Sequence, residues 1–223
     1  MKIVIKEFTK KLSNNLILDN INLELESGKI YGFIGKNGSG KTMLMRAICG
    51  LILATSGSVQ IDGKILGKEI SFPESVGVLI ENPGFIPSYN GFRNLKVLAQ
   101  IQKRISDAEI EETIRNVGLD PNEKKSFRKY SLGMKQKLGI AAAIMEDPQL
   151  LILDEPFNGL DEETIDKIRK LILDRKNDKN LIILSCHDSE EIEKICDETI
   201  EIKLGKIIKI HKQENEEENV QNQ

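Results

Sequence analysis

The sequence has no tryptophan, and aromatic residues make up only 4% of its 223 residues. Apolar residues still reach 39%, enough for a folded domain rather than a disordered chain. No uninterrupted apolar run approaches the roughly 20 residues that cross a bilayer, which excludes a membrane-spanning helix. The first residues, MKIVIKEFTKKL, lack the continuous apolar stretch and cleavage site of a signal peptide. Cysteine is scarce and odd in number. Cys49, Cys186 and Cys196 are scattered, give no disulfide framework and no metal-ligand spacing, and suit a reducing interior. The expected place is the cytoplasm, which still allows a membrane partner. An excess of positive charge is also missing: 32 Lys and Arg face 35 Asp and Glu, for a net charge of -3. A strongly basic nucleic-acid coat is thereby excluded, though a local basic patch is not. The segment from His211 to Gln223 holds four Glu and one Lys, so the acidity sits there and the preceding body is formally neutral. The length suits one substantial core, or at most two small ones.

What is present is an alternation of strand and helix patterns. Ile21, Leu23 and Leu25 alternate with polar residues at period two, as a half-buried strand does. Ser27-Gly28-Lys29 is a turn, and Ile30 to Ile34 is a short apolar strand. Leu44, Ile48 and Leu51 predict a helix over 41–53. A strand-turn unit spans 57–67, and Val76 to Ile80 is a further strand stopped by Asn82-Pro83-Gly84. The charge-rich stretch 85–130 reads as a mostly helical insertion. One helix is expected over 131–145, apolar strands over 150–153 and 181–184, and helices over 162–173 and 190–196. A hairpin turned at Gly205 is expected over 199–210. Apolar strands alternating with amphipathic helices imply an α/β fold, a sheet covered on both faces. The N-terminal strands are expected to form a small second sheet. Residues 213–223 are expected to be a loose acidic tail.

Two motifs carry chemistry. Gly35-Lys36-Asn37-Gly38-Ser39-Gly40-Lys41-Thr42 matches the Gly-x4-Gly-Lys-Ser/Thr phosphate loop, between a strand and a helix. Its glycines let backbone N–H groups converge on phosphate oxygens, and the helix N-terminus favours the anion. Lys41 is expected to reach the β- and γ-phosphates, and the Thr42 hydroxyl to hold Mg²⁺. Leu150-Leu151-Ile152-Leu153-Asp154-Glu155 is a buried strand ending in two carboxylates. Asp154 is the expected Mg²⁺ ligand, and Glu155 the group that polarises the attacking water. A second carboxylate argues for hydrolysis rather than storage of a nucleotide. His187, after the next apolar strand, has two readings of equal weight: a γ-phosphate contact, or a neighbour of Asp188 and Ser189, which can cap the following helix.

Ser131-Leu132-Gly133-Met134-Lys135-Gln136 precedes the Asp154 strand and resembles the signature segment of ABC transporter ATP-binding subunits. Leu132 stands where many members have Gly, and Met134 where many have Gln. The resemblance implies that Ser131 and Gly133 bind the γ-phosphate of ATP held by another subunit. Asn158-Gly159-Leu160-Asp161 resembles the D-loop along the subunit interface, and His187 matches the switch histidine. The position that normally holds a Mg²⁺-contacting Gln is here Glu81. Ile80-Glu81-Asn82-Pro83-Gly84-Phe85 resembles the branch of exporters linked to bacitracin and lantibiotic resistance. Many members stack an aromatic on adenine, but residues 11–16 have none, so Leu12 or Leu16 is expected to hold the base. Phe8 is expected inside its strand.

The resemblance spans about residues 2–210. It implies a P-loop NTPase fold with a RecA-like, mainly parallel sheet core, a small antiparallel N-terminal β-subdomain and a helical signature-bearing subdomain. One ATPase domain is expected over 1–212, with the helical subdomain at about 85–147. The implied activity is Mg²⁺-dependent ATP hydrolysis, with Glu155, His187 and Lys41 in the reaction. Gly35, Lys36, Asn37, Gly38, Ser39, Gly40, Lys41, Thr42, Met43, Glu81, Ser131 and Gly133 are the implied ATP contacts. Thr42, Glu81 and Asp154 are the implied metal ligands. Because phosphate loop and signature bind opposite sides of a nucleotide, the implied assembly is a head-to-tail dimer, expected to be a homodimer. Transport through a separate integral membrane permease follows, at the cytoplasmic face, with an antimicrobial peptide or related amphiphile as the expected exported cargo. Phe85, Ile86, Tyr89 and Phe92 are either part of the permease-docking surface or ordinary core. Two rival readings carry less: a soluble ABC ATPase acting on ribosomes or DNA repair, and an ATP-binding regulatory module without turnover. The chain lacks the paired domains or long insertions of the first, no nucleic-acid binding is expected, and intact Lys41, Asp154, Glu155 and His187 oppose the second.

Overall fold

The computed structural model describes residues 1–81, 83–186, 192 and 194–213. Strands β1 (Lys2–Leu12) and β2 (Asn15–Glu26) form an antiparallel hairpin. Buried residues step by two from Ile3 to Ile5 and from Ile21 through Leu25, but by three from Ile5 to Phe8 and from Leu18 to Ile21. Each three-residue step contains a residue with positive φ, Glu7 at 48° and Asn20 at 51°, and the pairing register shifts there. These bulges bend the hairpin while keeping one apolar face. The Glu7 N–H donates to Asn22 Oδ1 at 2.9 Å, and the Asn20 N–H to Thr9 Oγ1 at 3.1 Å. Side chains thus take up backbone donors at the irregularities. Phe8 is buried inside β1, as expected. With β4 (Ser56–Ile61) and β5 (Lys64–Ile65) the hairpin completes a four-stranded antiparallel sheet in the order β2-β1-β4-β5.

A second sheet has six strands, in the order β10-β9-β3-β8-β7-β6. It contains β3 (Ile30–Ile34), β6 (Val76–Leu79), β7 (Leu150–Asp154), β8 (Leu181–Cys186), β9 (Glu198–Lys203) and β10 (Lys206–Lys212). All its pairings are parallel except the β9–β10 hairpin. Strand alternation divides the core into two. Leu150, Ile152, Leu181 and Ile183 face the four-stranded sheet and α1 (Lys41–Ile48). Leu151, Leu153, Ile182 and Leu184 face the other helices. Burial on both faces explains why these strands read as unbroken apolar runs. The helices on that second side include α2 (Gly91–Gln102), α3 (Asp107–Asn116), α4 (Leu132–Ile144) and α5 (Glu162–Leu173).

Helix α1 is shorter than its periodicity predicts, because Gly50 stops it. Gly50 has φ 75°, its N–H donates to Ala47 O, and the next N–H, of Leu51, reaches back to Arg46 O. This paired closure uses a left-handed residue and satisfies the last carbonyls. Leu51 and Leu53 consequently lie outside the helix and are exposed. Helix α4 begins as predicted, with the Ser131 hydroxyl accepting from the Met134 N–H at 3.2 Å. Residues 190, 191 and 193 of the helix expected over 190–196 lie outside the described residues, as do His187 and the tail beyond Gln213. The Gln213 N–H itself donates to Asp197 O. Among the described residues, no helix is long and apolar enough to cross a membrane.

Candidate nucleotide-binding site

Strand β3 runs between β8 and β9 and delivers the glycine-rich loop at its end. Gly35 has φ 153°, and a Cβ there would lie 2.2 Å from the Ile202 carbonyl oxygen. Only glycine lets the chain leave β3 this close to β9. The loop turns back through the Ser39 N–H, which donates to Lys36 O, and is anchored by the Gly205 N–H on Ser39 O. Helix α1 starts at Lys41 with Gly40 as its N-cap and no side-chain cap, so its first N–H groups keep their capacity for an anion.

Lys41 is 4% exposed, and its ammonium donates to the carbonyls of Gly35 at 2.5 Å and Lys36 at 3.4 Å. Ser39 Oγ is buried without a hydrogen-bond partner. A buried cation, an orphaned hydroxyl and an uncapped helix start on one loop fit a polyphosphate. They open on a cavity of about 770 Å³ lined by Asn37, Gly38, Ser39, Gly40, Lys41, Thr42 and Met43 on the loop side. Gly35 and Lys36 belong to the loop but do not line this cavity. From the first hairpin the cavity takes Ile17, not Leu12 or Leu16, which are both exposed.

The opposite wall is set by strand parity. Asp154 continues the face of Leu150 and Ile152, which is the face that packs on α1. The Thr42 hydroxyl accordingly donates to Asp154 Oδ2 at 2.7 Å. Ser185 lies directly beside Asp154 in the β7–β8 register, and its hydroxyl donates to Asp154 Oδ1. Thr42 and Asp154 present hydroxyl and carboxylate oxygen, the hard donors suited to Mg²⁺. Among the described residues no three His, Cys, Asp or Glu gather as a metal cage. Mg²⁺ bound through one or two carboxylates, nucleotide phosphates and water requires none.

Glu155 follows with φ 48°, turning the chain out of β7. Its N–H donates to Ser185 Oγ at 3.0 Å, and its carbonyl accepts from Gln136 Nε2 at 2.9 Å. Its carboxylate accepts from Asn158 Nδ2. Glu155, Asn158 and Gln136 all line the cavity. Ser185, Gln136 and Asn158 as supports for the two carboxylates were missed in the sequence. Ser185 was accessible through parity, since it stands at the end of an apolar strand beside Asp154.

Glu81 also lines the cavity, but its partner is Arg46 on α1, with 2.8 Å between Nη2 and Oε2. Arg46 lies one turn beyond Thr42. Ser131 and Gly133 do not line the cavity, whereas Leu132 does, 63% exposed. The Leu132 side chain packs on Gly159. The cluster Phe85, Ile86, Tyr89, Phe92 divides: Phe85 and Phe92 pack on the helical core, with Phe85 edge-on to Phe127 at 5.1 Å. Ile86 is exposed, and the Arg93 guanidinium covers the Tyr89 ring. The three cysteines are buried. Burial pushes the Cys49 thiol up to about 12 and raises Cys196 as well, so neither is a nucleophile at neutral pH.

Comparison with known proteins fits this geometry. The family model described as "ABC transporter" matches residues 18–158, from β2 through the loop after β7. An uncharacterized ABC transporter ATP-binding protein, YybJ of Bacillus subtilis, is 45% identical over 92% of this chain and 94% of its own length. The bacitracin transport ATP-binding protein BcrA of Enterococcus faecalis is 41% identical over 86% of this chain, which spans 63% of that relative. The lantibiotic transport ATP-binding protein SrtF of Streptococcus pyogenes is 36% identical over 92% of this chain and 88% of its own. Among solved structures, the dimeric bacterial ABC transporter cassette MJ0796 superposes with a TM-score of 0.86 at 22% identity, covering 96% of this chain and 99% of the other. That superposition establishes the fold, and the family match and the relatives establish more: the chain belongs to the ABC transporter family as an ATP-hydrolysing, ATP-binding cassette.

Proposed function

We propose that this cassette powers export of an antimicrobial peptide of the lantibiotic or bacitracin kind, or a related amphiphile, through a separate membrane permease. The observation that carries the cargo reading is the Glu81 segment together with relatives named for bacitracin and lantibiotic transport. In this reading Lys41 and the loop N–H groups hold the β- and γ-phosphates, aided by the Ser39 hydroxyl. Thr42 and Asp154 hold Mg²⁺, with Glu81 as a further ligand. Bound there, the ion neutralises phosphate charge in the transition state. Glu155, fixed through its N–H and its carbonyl, orients and polarises the attacking water. His187 contacts the γ-phosphate.

Ser131 and Gly133 lie off the cavity of their own chain, which supports their acting on the nucleotide of a second copy in a head-to-tail dimer. ATP then closes two chains around two nucleotides, and hydrolysis with product release opens them. An apolar groove of about 390 Å³ supports permease docking at the cytoplasmic face of the membrane. Phe85, Leu51, Ile52 and Leu98 line it, with Arg46 as its cation. Its occupant in this reading is a permease segment that pairs apolar side chains with an acid. Co-purification of the tagged cassette from membranes tests this: recovery of a polytopic protein is expected, and recovery of ribosomes instead overturns it. Expression in a peptide-sensitive strain tests the cargo, since resistance to bacitracin or a lantibiotic must vanish with Glu155→Gln.

A further inference from the structure

One ion pair joins the two cavities. Glu81 lines the nucleotide cavity, Arg46 lines the apolar groove, and Arg46 Nη2 lies 2.8 Å from Glu81 Oε2. Arg46 is four residues after Thr42 on α1, so the two share a helix face about 6 Å apart along the axis. The pair therefore ties the Glu81 carboxylate to a guanidinium, on the wall of the same cavity that Thr42 and Asp154 line.

We propose that Arg46 is a positioning residue that holds Glu81 in reserve and surrenders it to the metal when nucleotide enters. This rests on the reading of Thr42, Asp154 and Glu81 as metal ligands. The charges explain the need. A third carboxylate close to Asp154 and Glu155 adds repulsion among like charges and opposes the incoming phosphates. The guanidinium cancels that charge until a dication replaces it. A neutral amide at position 81 would need no such partner. The exchange is feasible because the pair is not sealed: the side chains are 33% exposed for Arg46 and 59% for Glu81. Pairs of that exposure are weak enough to break and are screened by salt. Arg46 also faces the groove, so the same guanidinium that restrains Glu81 is accessible from the groove.

Mn²⁺ binding to the ADP-loaded full chain, followed by electron paramagnetic resonance, tests the assignment without turnover. Arg46→Gln should lower the Mn²⁺ Kd by about two- to five-fold, the effect expected from loss of one exposed ion pair. Arg46→Lys should behave as the native chain. The gain from Arg46→Gln should disappear in a Glu81→Gln background. An unchanged Kd in Arg46→Gln, or the same gain with Glu81 already neutral, overturns the proposal. Asp154→Asn separates the two levels: it must weaken Mn²⁺ binding, and if it does not, the metal-site reading fails and the proposal with it.

Discussion

Lys41 and Ser131 each stand at the start of a helix beside a motif suited to anions. Lys41 is buried, its ammonium is held by loop carbonyls, and the neighbouring Thr42 is already bonded to Asp154. Ser131 is exposed, caps its own helix, and contributes nothing to the cavity of its own chain. The phosphate loop is a finished half-site, whereas the signature is a surface presented outward. The contrast teaches that the two motifs are separable: one lines a cavity of its own chain, and in the proposed dimer the other acts on a nucleotide held by a second copy.

Variants on the two sides should break this comparison in different ways. Glu155→Gln should have the largest effect on turnover, lowering ATPase activity by about 10²–10⁴-fold while ATP binding persists. Equal activity in the variant sinks the hydrolytic role of Glu155. Lys41→Ala should cost about 10²–10³-fold and, unlike the first, weaken nucleotide binding as measured by calorimetry. Gly133→Asp should lower turnover by at least about ten-fold yet leave ADP affinity of the single chain unchanged. If it weakens ADP binding as Lys41→Ala does, the signature is not a separate surface.

Smaller effects sharpen the link between the halves. Gln136, one turn after the signature serine, ties α4 to the Glu155 carbonyl. Gln136→Ala should reduce kcat by about two- to ten-fold with KM little changed, as expected for one hydrogen bond. The smallest effect concerns Asp161, which caps α5 by accepting from the Thr164 N–H. That N–H holds the Asp161 carboxyl below its ordinary range. Its stabilising contribution is therefore present at neutral pH and is lost as pH falls through the depressed value. Asp161→Asn should flatten the acid arm of the melting profile, and an unchanged acid arm contradicts this.

The sequence was most legible where chemistry is contiguous or strand parity is simple. The phosphate loop occupies eight successive residues, and β7 carries Asp154 to α1 by alternation alone. Supports from distant elements were not legible. Nothing local to Asp154 announces Ser185, and nothing local to Glu155 announces Gln136, because those contacts exist only after the sheet and α4 are assembled. Glu81 was visible as an unusual acid, but its Arg46 partner was not. The sequence pattern makes helix α1 too long because Leu51 keeps the apolar period past Gly50, whose left-handed backbone overrides it. The sequence offers Leu12 and Leu16 for the base, whereas the hairpin residue that lines the cavity is Ile17, on the far side of the turn from β1. The aromatic cluster divides for a similar reason: Phe85 and Phe92 pack, partly buried, against the helical core while Ile86 is left outside, and Phe85 also lines the groove.

The central claim is that each nucleotide is completed by the signature of a second copy. Mixing purified Lys41→Ala and Gly133→Asp chains tests it directly. In a head-to-tail heterodimer both defects fall on one site and the other site is intact. The mixture should recover about a quarter of native ATPase activity, since half the dimers are mixed and each has one good site. A mixture no more active than the separate variants would contradict the shared site.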